Sequence, residues 1–153
     1  MCDKLFNMHS HESVAAMAGA YAEQAVAAAR KFGATLDYSE NSLQEVEDIL
    51  CRLEQQAPAS GLAREPLDET CKMWGSYLGE VVRRRFSGAW SIETYPGKQF
   101  ATLTLSVGGS KIFPSMKVHR RLTQGESDNV WTFYKMVKAR LEASSQAGAT
   151  RIQ

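Results

Sequence analysis

The sequence predicts an α+β domain: a three-stranded antiparallel meander packed by a central helix and flanking helices. Three observations predict it. Leu67, Cys71, Trp74, Leu78, Val81 and Val82 recur at helical spacing and form one broad apolar stripe. After Gly88 the period drops from roughly 3.6 residues to 2, the period of a strand. Pro96-Gly97 and Gly108-Gly109 punctuate that alternating stretch with turn signals. A sheet of three short strands is not stable without helices laid on it, so the helix over 67–86 is expected to be the inner strut.

The elements follow in chain order. Residues 1–12 read as a disordered lead-in. From Ser13 to Lys31 the chain is rich in alanine, with Val14, Met17, Tyr21, Ala25 and Ala28 at helical spacing and Gly33 placed for a left-handed C-terminal residue. The next helix follows LDYSEN, with Ser39 or Ser42 as cap and a stripe of Leu43, Val46, Leu50 and Leu53 edged by Ile49. Glu40, Glu45, Glu47 and Asp48 are assigned to its wet side. APASGLAREP is a loop before the central helix. In that helix Gly75 and Gly79 each cost about 1 kcal/mol against alanine, which implies an element packed closely on that side: the first helix, or another copy of the chain in a homo-oligomer. Trp90, Ile92 and Thr94 mark a first strand, Phe100 to Val107 a second and Ser110 to Phe113 a third. Met116, Val118, His119 and Leu122 make one or two helical turns that stop at Gly125. A last helix over 129–143 buries Val130, Phe133, Tyr134, Val137 and Leu141, and residues 144–153 read as a disordered tail. Residues 13–143 are therefore expected to form a single domain.

A chain of 153 residues with 44% hydrophobic and 23% charged residues suffices for one core of ordinary composition. A formal net charge of +1 exerts no general pull toward nucleic acid or anionic membrane. Beneath it lies an asymmetry, with an acidic stretch at 37–54 and basic stretches at 83–85 and 111–140. Cys2, Cys51 and Cys71 are an odd set without paired spacing, and the start has no basic and apolar leader, so a reducing cytoplasm is the expected location.

Each candidate chemistry is weighed on its residues. His9 and His11 lack a completing ligand set, His119 is remote, and no metal or other cofactor is expected. Cys71 lies mid-stripe, where burial makes a thiol inert. Arg83, Arg84, Arg85, Lys117, Arg120 and Arg121 are a possible phosphate-reading patch, but aromatic interleaving is thin. Glu80 shares a helix row with Tyr77 and Arg84, an arrangement that suits an ion pair or an anchor in a groove beside 117–121. A single carboxylate without a paired partner does not by itself make acid–base chemistry.

LDYSENSLQEVEDIL, WGSYLGEVVRRRFSGAW and PSMKVHRRLTQGESDNVWTFY resemble a family of small bacterial α+β domains of unknown function. One signature of that family matches Gly75, Tyr77, Leu78, Gly79, Glu80 and Trp90; the other matches Pro114, Lys117, Val118, Arg121, Leu122, Gly125, Asp128 and Tyr134. Ala89 stands where the family tends to have glycine and Asn129 where it has serine. The resemblance transfers no activity.

Together these readings favour a non-catalytic domain that binds a partner protein, in its specific form an immunity or accessory factor acting on a toxin or effector. Glu80, Arg84, Lys117, Arg121 and Tyr134 are the expected contacts. The rival is an enzyme or small-ligand binder, which requires Glu80 in one pocket with Lys117 or Arg121.

Overall fold

The computed structural model describes the backbone of residues 11–152 and the side chains of residues 11–145. The order is α1 (His11–Arg30), α2 (Ser42–Gln56), α3 (Arg64–Phe86), β1 (Ala89–Thr94), β2 (Ala101–Val107), β3 (Ser110–Ile112), α4 (Pro114–Gln124), a 3₁₀ turn (Glu126–Asp128) and α5 (Val130–Ile152). This is the expected α+β meander with packed helices. The strands lie in the order β1-β2-β3, all antiparallel, with Trp90 opposite Leu105 and Ile92 opposite Leu103. The expected lead-in falls on residues 1–10, outside the described residues, apart from His11 and Glu12, which open α1.

Local chemistry fixes each boundary. Gly33 takes φ +80° after α1, and the N–H of Ala34 donates back to the carbonyl of Ala29, which closes the helix with a left-handed residue. The buried stripe of α1 is Val14, Ala18, Ala22, Ala25 and Ala29. Its small side chains let α1 lie close along α3. The first turn of α2 is capped from outside, the Ser39 hydroxyl accepting from the N–H of Ser42 at 3.2 Å. Gly108 at φ +57° and Gly109 at φ +77° form the two-residue turn between β2 and β3, with both central residues left-handed as a tight hairpin requires. Pro114 stands at the first position of α4, where its missing N–H costs nothing.

The strut is α3. It touches α1, α4, α5 and β2. From Trp74 to Val82 every residue is buried, so the helix has neighbours around its circumference. The two glycines explain how they fit, and they correct the expectation that the first helix or another chain lies over them. A methyl built on Gly75 meets the Cα of Ser115 at 2.5 Å, and one built on Gly79 overlaps the ring of Trp90. The first turn of α4 and the first strand therefore sit on the bare backbone of α3.

Four further expectations need correction. Glu47 is buried, not on the wet side of α2, because it accepts hydrogen bonds from two other elements. The third strand stops at Ile112, since Phe113 already turns into α4. The short turns after Pro114 are a full helix of 11 residues. The last helix runs on to Ile152: 144–153 contains no proline, and its alanines favour helix.

Candidate functional site

The five expected contact residues do not gather at one site, although Glu80 and Arg84 meet on α3. Glu80 is 5% exposed, and three groups hold its carboxylate. The indole N–H of Trp90 donates to it at 3.0 Å, the Arg83 guanidinium grips both oxygens, and Arg84 lies at 3.9 Å. Burial pushes this carboxyl up, but the hydrogen bonds from Arg83 and Trp90 and the two arginine charges outweigh it, so the net shift is downward. The depression that Glu80 lines is shared with His11, Glu12, Arg83 and Trp90, not with Lys117 or Arg121. That is not the shared pocket the enzyme reading requires. Arg84 is exposed, and its guanidinium carbon sits over the Tyr38 ring at 3.5 Å from the centroid. Tyr38 itself is left-handed at φ 64°, and its N–H is fixed by the hydroxyl of Tyr77 at 2.8 Å.

Arg121 is 1% exposed and cannot be a surface contact. Its guanidinium donates to Glu47 and to Glu54, each at 2.8 Å, and the other oxygen of Glu47 accepts the N–H of Val130 at 3.0 Å. One buried arginine thereby ties α4 to α2, and Glu47 ties α2 to the start of α5. Tyr134 is equally buried; burial first and the Glu40 carboxylate second push its hydroxyl up. Nor do the arginines of 83–85 form a phosphate-reading patch with this segment: Arg83 is on Glu80 and Arg85 on Glu40 and Glu142. Glu80, Arg121 and Tyr134 are structural.

Lys117 leads elsewhere. It pairs with Asp128 at 2.9 Å, lies over the Phe133 ring and lines a half-open groove of about 590 Å³ between β3, α4 and α5. Phe113, Phe133, Met136 and Val137 supply its apolar lining. Its charged lining residues are Lys111, Lys117, Arg120 and Arg140, all basic. Lys111 also pairs with Glu93, and Arg120 contacts Asp128 and donates to the hydroxyl of Tyr95 at 2.7 Å. Arg140 has no ion-pair partner among the described residues. Met136 is 64% exposed, more than any other large apolar side chain among the described residues; Phe100 follows at 44%. Neither Met136 nor Arg140 is among the contacts expected from the sequence. The available signal was their spacing, since Phe133, Met136 and Arg140 recur at three and four residues and form a second stripe beside the buried one.

No family model, curated protein or solved structure matches this chain.

Two further observations bound the chemistry. Among the described residues no group of three or more His, Cys, Asp and Glu is placed to hold a metal ion. Among the same residues no helix is long and apolar enough to cross a membrane. The groove offers apolar contact area, four cations and, among the described residues, no acidic lining group, which suits recognition of an apolar, anionic surface.

Proposed function

We propose that this chain is a non-catalytic protein-binding domain whose partner presents an acidic, apolar segment to the groove between β3, α4 and α5. One observation carries the reading: an exposed methionine beside half-buried aromatic rings, with every charged lining group basic. Apolar contact with Met136 and Phe133 supplies affinity, and the cations supply approach rate and orientation. An immunity or accessory role toward a toxin or effector is the specific form in which this binding is proposed. The reading relocates the contact set: Lys117 stays and Arg120, Phe133, Met136 and Arg140 join it.

The test is capture from the source cells with the tagged chain, beside Met136→Glu and Arg140→Glu. Both substitutions fall on exposed positions and are expected to leave the melting temperature unchanged. A single stoichiometric protein, lost with both variants and binding the purified chain more weakly as salt is raised, supports the proposal. A partner retained by both variants, or a small molecule in place of a protein, overturns it.

A further inference from the structure

The edge of the sheet borders the groove, and its geometry says what conformation an occupant takes. Among the described residues β3 is an outer strand, paired with β2 alone. Val107 and Ser110 close the two-residue turn, so they are a hydrogen-bonded pair, and Leu105 and Ile112 are the next. Lys111, opposite Ser106, falls between them. Its N–H and C=O therefore point away from β2, along the side where Lys111, Ile112 and Phe113 line the groove. An edge of this kind is a template for another strand.

We propose, resting on the protein-binding reading above, that the occupant is an extended acidic segment of the partner that adds to β3 as a fourth strand and pairs with the backbone of Lys111. Strand pairing supplies direction and register, and side-chain alternation supplies the selection. On one side of the added strand, apolar residues meet Phe113, Phe133, Met136 and Val137. Successive side chains of a strand face opposite ways, so the carboxylates between them stand on the other face, beside the Lys111 ammonium where it reaches Glu93. The adjoining α5 meets the sheet at the hairpin, where the Leu141 side chain sits against Gly108.

The probe is a fluorescent synthetic peptide of alternating Glu and Val, titrated onto the full chain and read by anisotropy. The expected result is saturable binding, weakened at least about tenfold when Lys replaces Glu, because a like charge then faces the Lys111 ammonium. Methylating alternate peptide amides removes the strand donors and is expected to abolish binding, while the amide of Lys111 exchanges more slowly in the complex with the unmodified peptide. Lys111→Pro deletes the outward N–H at a position where an edge strand tolerates proline. Its binding is compared with that of Lys111→Gln, which deletes the charge alone; a selective loss in the proline variant supports strand addition. Should the proline variant fail to fold, the methylated peptide still decides. Equal binding of methylated and unmethylated peptides, unchanged exchange at Lys111, or no binding of the Glu-Val peptide overturns strand addition. The protein-binding reading fails separately, when Met136→Glu and Arg140→Glu both retain the captured partner.

Discussion

Trp90 donates its indole N–H to Glu80 at 3.0 Å while its ring lies across the bare backbone of Gly79. Adjacent residues of α3 thus do two jobs for one side chain, the glycine giving room and the glutamate giving the acceptor. Gly79→Ala is expected to be among the more damaging single-methyl additions, costing about 1–3 kcal/mol because the ring cannot share its space with a β-carbon. Gly75→Ala is expected to fall in the same range, since its methyl meets backbone of Ser115 and not a flexible tip. Urea unfolding of both variants checks this; a loss within experimental error would show that α4 and β1 can shift without cost.

The same carboxylate sets a pH dependence. Glu80 and Asp128 both titrate below their ordinary values of 4.5 and 3.8 in the folded chain. For Glu80 burial opposes the shift and the Arg83 and Trp90 hydrogen bonds win; for Asp128 the Lys117 hydrogen bond leads, against burial. A carboxylate depressed on folding binds fewer protons than in the unfolded chain, so its contribution is full above the ordinary value and lost as pH falls through the folded one. Melting temperature is expected to hold from neutrality down to about pH 5 and then to fall steadily. Glu80→Gln should start lower and lose less over that acid range. A variant whose acid slope matches the parent's would mean that Glu80 is not a source of it.

The helices and the meander were legible because they rest on local signals. The period of the Leu67–Val82 stripe, the alternation from Trp90 and the Gly108-Gly109 turn each act within a few residues. What lies over Gly75 and Gly79 was not legible, because Ser115 and Trp90 come from other parts of the chain and only folding brings them there. Glu47 looked like a surface acid for the same reason: its partner Arg121 is 74 residues away. The row containing Glu80 was readable as an ion pair, and that is what it holds with Arg83 and Arg84. The groove escaped because its members come from the hairpin, α4 and α5, and only the Phe133, Met136, Arg140 spacing within α5 is local.

Arg121 carries the sharpest stability prediction. Replacing it by methionine removes the cation between Glu47 and Glu54 and leaves Glu47 buried with only the N–H of Val130 for company. Breaking a buried pair from one side costs about 3–5 kcal/mol, so Arg121→Met is expected to unfold at much lower denaturant. Adding Glu47→Gln should recover part of the loss, because the neutral amide oxygen can still accept from Val130 without leaving a charge unpaired. A double variant no more stable than the single would assign the cost to packing of the arginine stem instead.

Cysteine reactivity gives a prediction that needs no variant. Burial, assisted by the nearby charge of Asp68, pushes the Cys71 thiol up to about 12, so its thiolate is scarce at neutral pH. Cys51 is only half-buried, on α2, with the Gln55 amide at 3.5 Å from its sulfur. Under native conditions at pH 8, iodoacetamide is expected to modify Cys51 well before Cys71, with the two rates converging in denaturant. Peptide mass spectrometry over a time course reads both sites in one sample. Early modification of Cys71 in the folded chain would mean that the space beside it, lined also by His119 and Ser115, opens to solvent far more readily than its 4% exposure implies.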